Sequence, residues 1–305
     1  MHHRFFVFGS LVALVCATVV AVTTTSTSSA RPAPAERIDL SRPLMGASIQ
    51  TNPGQTYREA RVAADERYGG MSVVRYFDPN LPNSWSSITA DVGKKPAVIS
   101  FKAPPAEVAA GKHDAAFKSF FKNAPTDRIT WWSYMPEPED DIAQGKYSAA
   151  SFRAAFARLA GFASATKNPQ LRSTLTLMCY TLNPYSNRNW RDFYPGNAAV
   201  DVLAWDCYNW AGKRGYYAEP GTSFDKAIDL ADSLGKDWAI AETGSTLVGA
   251  DTGAKRAAWL LNLAEYADRN DAQFVTYFDV KLSVDYRLRD TASQRAWKQA
   301  IDYQF

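Results

Sequence analysis

The feature that most restricts this chain is an eightfold alternation. Short β-branched or aromatic runs recur at Leu44–Ile49, Ser72–Tyr76, Pro96–Phe101, Ile129–Tyr134, Leu175–Leu182, Val200–Cys207, Trp238–Glu242 and Phe274–Phe278. Between them lie stretches with helical spacing. Tyr57–Tyr68 closes at Gly69-Gly70, and Ala106–Phe121 carries Phe117, Phe120 and Phe121 on one side. Phe152, Ala155, Phe156 and Leu159 repeat at i, i+3, i+4, i+7; so do Phe224, Ala227, Ile228 and Ala231, and Ala257, Leu260, Leu261 and Ala264. Ala292–Tyr303 is a closing helix. The helices after the second and fifth strands look short or degenerate. Strands alternating with helices predict a parallel sheet with right-handed crossovers. Eight units in 305 residues predict a single (β/α)8 barrel, an α/β fold. An open doubly wound sheet is the runner-up, but no Gly-rich phosphate loop follows the first strand.

Residues 1–30 read as an export signal. His2, His3 and Arg4 precede an apolar run from Phe5 to Val22, and Ser28-Ser29-Ala30 resembles a small-residue cleavage site. The apolar run is nearly long enough for an uncleaved anchor, but the small residues that follow it favour cleavage. The expected location is therefore extracellular, with no stable membrane insertion after cleavage. Residues 31–43 are Pro- and Ala-rich and read as a linker to a barrel over 44–305. The net charge is +3 and no Lys/Arg run stands out, so no nucleic-acid partner is expected. The chain is expected to act as a monomer.

Two residue counts restrict the chemistry. Of three histidines, only His113 lies beyond the signal, which excludes a His-rich zinc site and leaves a Ser-His-Asp triad resting on one residue. The acidic run Glu137–Asp141 lacks the glycine and regular spacing of a calcium loop. Neither metal nor cofactor is expected. Cys179 and Cys207 lie on neighbouring predicted strands, as a disulfide or as two buried thiols.

In a barrel of this kind, function gathers where strands end and their loops begin. Those positions here are Val74-Arg75-Tyr76, Met135-Pro136-Glu137, Tyr180–Asn183, Trp205-Asp206-Cys207-Tyr208-Asn209-Trp210, Ala241-Glu242-Thr243-Gly244 and Tyr277-Phe278-Asp279. Two glutamates end non-adjacent strands amid aromatics and polar groups. A retaining glycosidase needs that set: one ionised carboxylate to attack the anomeric carbon and one protonated carboxyl to assist the leaving oxygen. An arginine and a tyrosine beside the nucleophile would keep it ionised and aimed.

On these residues the chain resembles the clan of retaining (β/α)8 glycoside hydrolases whose acid/base and nucleophile glutamates end strands four and seven. Within the clan it looks most like family 26, the β-mannanase-type group. The resemblance implies that Glu137 is the acid/base and Glu242 the nucleophile. It matches Arg75 to the clan's strand-two arginine and Asp206-Cys207-Tyr208 to an Asp-x-Tyr whose tyrosine contacts the nucleophile. Tyr286-Arg287 resembles an aromatic-Arg pair that binds sugar. With Trp210, Tyr277 and Asp279, these residues form the expected substrate-binding set, and a polysaccharide, β-mannan or a related β-glycan, is the implied partner. The chain departs at Pro136, where the family has His and the wider clan Asn. It departs again at Glu139, Asp140, Asp141 and Ile142, where an aromatic platform is expected.

Plainer roles stand beside these. Glu139 competes with Glu137 as acid/base, although Glu137 sits directly at the strand end. Glu242 has a structural alternative in a buried salt bridge to Arg75. Asp206 serves equally as a turn cap, Tyr208, Trp210 and Trp131 as core aromatics, and Arg287 as a surface arginine. A carbohydrate-binding barrel without catalysis is the rival function, motivated by Pro136.

Overall fold

The computed structural model describes residues 40–303. The signal read at 1–30 and residues 31–39 of the linker lie outside them. Eight strands, β1 (Leu44–Ile49), β2 (Val73–Asp78), β3 (Ala97–Phe101), β4 (Thr130–Tyr134), β5 (Leu171–Met178), β6 (Val202–Asp206), β7 (Asp237–Thr243) and β8 (Phe274–Asp279), form a closed parallel barrel in chain order. The closure pairs Leu44 with Phe274 and Ile49 with Asp279. Ten α-helices occur among the described residues. They are α1 (Tyr57–Tyr68), α2 (Trp85–Val92), α3 (Pro105–Ala109), α4 (Asp114–Lys122), α5 (Pro138–Ala143), α6 (Ala149–Ala165), α7 (Ala211–Arg214), α8 (Gly221–Leu234), α9 (Ala254–Arg269) and α10 (Thr291–Ile301). The expected barrel is the observed fold.

Both faces of every strand are covered, which is why the strands read as apolar runs without clean alternation. Val73, Val98, Trp131, Val202, Ala204, Ala239, Ala241 and Phe274 fill the barrel interior. Outside lies a larger layer between strands and helices, where Trp132 packs on Phe121 and Phe156. The adjacent Trp131 and Trp132 thus serve opposite faces, as strand geometry requires. Close strand approach fixes Gly46, since a Cβ there would come within 1.8 Å of the Val73 carbonyl oxygen. Toward the strand exits the interior turns polar. Arg75 and Ser100 follow Val73 and Val98 by two residues, and Ser133 meets Thr176 at 2.9 Å.

Three boundaries differ from those read in the sequence. The helix expected over Ala106–Phe121 is two helices, broken at Gly111 with φ +85°. β5 runs Leu171–Met178, not Leu175–Leu182. Its first half carries Arg172 and Thr174, whose polarity hid a strand that starts at the base of the barrel, where Arg172 pairs with Asp237 at 3.0 Å. Cys179–Leu182 is instead a 3-10 turn, and only a second such turn, Trp190–Asp192, follows before β6. β6 itself is shorter than Val200–Cys207. Cys179 and Cys207 form a disulfide with Cα atoms 5.2 Å apart, joining the exits of β5 and β6.

Candidate active site

β7 delivers Glu242 to the barrel mouth by a break in its own register. Simple alternation from Ala239 and Ala241, both interior, would turn Glu242 outward. Instead β6 and β7 pair Trp205 with Ile240 and then Asp206 with Glu242, while β7 and β8 pair Ile240 with Val275 and then Thr243 with Tyr277. One extra residue in β7 is a β-bulge, and it re-aims the side chain that follows. Glu242 therefore faces in beside Asp206. It is 7 % exposed.

Two donors hold that carboxylate. Arg75 Nε donates to Oε1 at 3.1 Å, and the Tyr208 hydroxyl donates to Oε2 at 2.5 Å. Arg75 is fully buried, 3.8 Å from Asp206 as well, and its guanidinium lies 4.5 Å from the Phe77 ring. Burial opposes its charge, but Glu242 and Asp206 outweigh that effect and raise its pKa. Burial and then the Glu242 charge push the Tyr208 hydroxyl up, so it stays a donor. The buried salt bridge weighed as the structural role of Glu242 is thus present, and the tyrosine contact is present with it.

Glu137 reaches the same mouth by a different route. β4 ends at Tyr134, and the next residues enter the left-handed region at Met135 (φ 47°) and Glu137 (φ 53°), on either side of Pro136. Each such non-glycine residue costs about 1–3 kcal/mol, and such residues gather at functional sites. Neighbouring strands hold the turn: Met135 N donates to Phe101 O at 2.9 Å and Glu137 N to Thr176 O at 3.1 Å. The Glu137 carboxyl is half-buried and has no arginine against it within salt-bridge distance among the described residues. Burial first, then the charges of Glu242 and Glu139, push its pKa up to about 7. Arg75 lowers it, but by less.

Glu139, the competing acid, is directed elsewhere. It is buried at the start of α5 and accepts from Met178 N at 2.8 Å and Thr181 Oγ1 at 2.7 Å. Asp140 pairs with Arg188 and Asp141 with Lys146, so the acidic run diverges instead of converging. Among the described residues no group of three or more His, Cys, Asp or Glu side chains is placed to hold a metal ion.

The expected substrate set divides. Arg75, Asp206 and Tyr208 meet at Glu242. Both Asp206 oxygens are buried without a hydrogen-bond donor, and burial followed by Glu242 raises its pKa well above the usual carboxylate range. Trp210 is a half-exposed ring on the β6 exit, with Lys213 Nζ 4.8 Å from its centre. Three residues depart from the expectation. β8 faces Phe274, Thr276 and Phe278 inward, so Tyr277 and Asp279 point out of the barrel. Tyr277 packs on Trp297 of α10 and donates to Tyr286 O at 2.6 Å. Asp279 accepts from Tyr68 at 2.8 Å, Arg67 at 3.0 Å and the Leu288 amide at 2.8 Å, a structural knot under the β8 loop. Arg287 folds back onto Asp285 through three hydrogen bonds, two from its guanidinium and one from its backbone amide. Its neighbour Tyr286 does join the site, its ring 4.8 Å from Tyr208 and 6.0 Å from Phe278.

Phe77 and Phe278 were not foreseen. Both follow an inward residue by two, Arg75 and Thr276, and counting from those residues would have found them. Among the described residues every large exposed hydrophobic except Val62 sits on a strand-exit segment: Phe77, Tyr180, Tyr185, Trp210, Tyr216, Leu247 and Leu282. Apolar side chains, five of them aromatic, thus line the β2, β5, β6, β7 and β8 exits. A cavity of about 580 Å³ lies between the β3 and β4 exits, lined by Leu81, Ala103, Pro104, Met135 and Tyr147 among others.

No protein-family model and no curated protein sequence matches this chain. Solved structures do. The catalytic domain of a GH26 endo-β-1,4-mannanase from Bacillus sp. JAMB-750 is similar with a TM-score of 0.56 at 14% identity, covering 86% of each chain. A β-mannanase from a symbiotic protist of the termite Reticulitermes speratus matches with 0.51 at 13%, over 86% of this chain and 87% of that one. A glucosidase from Croceicoccus marinus matches with 0.57 at 14%, over 88% and 69%. At these identities the likeness establishes the shared barrel, and the expected resemblance to family 26 holds at that level.

Proposed function

We propose that the chain is a retaining glycoside hydrolase that cleaves a polysaccharide, β-mannan or a related β-glycan, by double displacement. The observation that carries this reading is the unequal treatment of two carboxyls at one barrel mouth. Arg75 and Tyr208 donate to the two oxygens of Glu242, whereas burial and neighbouring carboxylates push the pKa of Glu137 up to about 7. In the first half-reaction Glu242 attacks the anomeric carbon while Glu137 protonates the departing glycosidic oxygen. A water, deprotonated by Glu137, then attacks the same carbon and releases Glu242. Bonds and protons balance over the cycle, and neither step needs a cofactor. Phe77, Tyr208, Phe278 and Tyr286 supply ring faces for the sugar. The solved mannanases of similar fold support the choice of substrate class.

Secretion belongs to this proposal. The leader at 1–30 motivates it, and the Cys179–Cys207 disulfide suits an oxidising compartment. No helix among the described residues is long and apolar enough to cross a membrane. The test is hydrolysis of a panel of plant, fungal and bacterial polysaccharides by the chain lacking residues 1–30, with Glu137→Ala and Glu242→Ala alongside. Sugar release by the unmutated protein alone is expected. The second reading, a carbohydrate-binding barrel without turnover, is favoured by Pro136, which gives the acid/base no side-chain donor. Equal glycan binding by all three proteins with no release would establish it instead.

A further inference from the structure

Two residues beyond Glu137, Glu139 is only 1 % exposed in the first turn of α5. One of its oxygens takes both donors of the β5 exit, Met178 N and Thr181 Oγ1. The other, Oε2, is buried and meets no donor among the described residues. Arg188 acts on it electrostatically but pairs with Asp140. A buried carboxyl with half its acceptors empty is costly and calls for a reason.

The reason lies next to it. The turn that aims Glu137 is left-handed at two non-glycine residues and relaxes unless the surroundings hold it. Glu137 N to Thr176 O is a backbone tie from this turn to β5, and the two bonds of Glu139 add side-chain ties to the same strand's exit. Glu137 is faced by Glu242 from β7, by Glu139 and Asp140 from α5, and by Arg75 from β2, with Asp206 of β6 and Tyr208 just beyond that strand also within its field. Glu139 in turn is faced by Glu137, Arg188, Tyr147 and Asp206, and burial pushes its own pKa up to about 7.

Resting on the reading of Glu137 as proton donor, we propose that Glu139 is its positioning residue: through Met178 N and Thr181 Oγ1 it fastens the left-handed turn that aims Glu137 to the β5 exit. The acidic residue that competes for the catalytic role in the sequence is thereby the support of the one that performs it.

Two substitutions separate the ties from the charge. Glu139→Gln keeps an acceptor for Met178 and Thr181 and removes the charge. Glu139→Leu removes both. The readouts are the thermal midpoint, the pH dependence of kcat/KM, and the titration of the Glu137 carboxyl followed by carbon-13 NMR, with Glu137→Gln fixing its assignment. For Glu139→Gln the expected result is a rate within about twofold of the unmutated protein at pH 5. Glu139→Leu is expected to melt earlier and to lose rate at every pH. A Glu139→Leu protein that only melts earlier, with its rate and Glu137 titration matching those of the unmutated protein, overturns the proposal. The NMR titration is read without turnover. Absence of hydrolysis by the unmutated protein would instead strike the proposed function.

Discussion

Glu242 and Glu137 sit at one barrel mouth, yet the fold treats them in opposite ways. Glu242 is buried more deeply and receives two strong donors, one of them a guanidinium. Glu137 is less buried and is left among carboxylates, with Arg75 a weaker counterweight. The partners differ more than the depth: a guanidinium lies against Glu242, whereas at Glu137 like charges add to desolvation. The backbone differs in parallel: a bulge in a regular strand aims Glu242, and a strained turn around Pro136 aims Glu137. The proposed division of labour between two chemically identical residues thus rests on what surrounds them.

The contrast breaks most completely if its anionic half is removed. Glu242→Ala is expected to lower kcat on the order of 10⁴-fold or more, since in the proposed mechanism no other group forms the covalent intermediate. Added azide should restore part of the rate with inverted product, as read by proton NMR. Glu137→Ala is expected to cost about 10²- to 10⁴-fold on a polysaccharide and much less on an aryl glycoside, whose leaving group needs no proton. In the unmutated protein kcat/KM should fall as pH rises through about 7, approaching tenfold per unit, because Glu137 loses the proton it donates. That limb should vanish in Glu137→Ala.

Arg75 links the two halves, and its loss is a stability effect first. Arg75→Met leaves Glu242 and Asp206 buried without their cation, which should cost about 3–5 kcal/mol in urea unfolding. The smallest effect is expected from Tyr208→Phe. It removes one hydrogen bond to an ionised group, about 1.5–3 kcal/mol, hence about 10- to 100-fold in kcat with the fold intact by circular dichroism.

The barrel was legible in the sequence because eight buried strands and their helices each leave a local signal. The strand exits were legible too, and with them Glu137, Glu242, Arg75, Asp206 and Tyr208 as residues that meet. Facing was not. Phe-Val-Thr-Tyr-Phe-Asp is apolar on both sides of β8, so period-two reading gave no way to tell inward Phe278 from outward Tyr277 and Asp279. The bulge at Glu242 is likewise invisible, since the extra residue is an ordinary alanine or glutamate in an apolar run. The β5 boundary failed for the opposite reason: Arg172 is polar but buried, paired across the barrel floor with Asp237. Glu139 looked like a rival to Glu137 because both follow a proline. Only Thr181 and Met178, some forty residues away in sequence, show where its carboxyl goes.

The central claim is that Glu242, not Glu137, bonds to the sugar. Its most direct test is to incubate the protein with a 2-deoxy-2-fluoro glycoside bearing an activated leaving group, chosen from the sugar the polysaccharide panel identifies. The peptides are then mapped by mass spectrometry. The account predicts a single glycosyl adduct on the peptide carrying Glu242, absent in Glu242→Ala. An adduct on Glu137 or Glu139 would contradict it, and so would steady turnover of the polysaccharide with inverted product and no adduct at all.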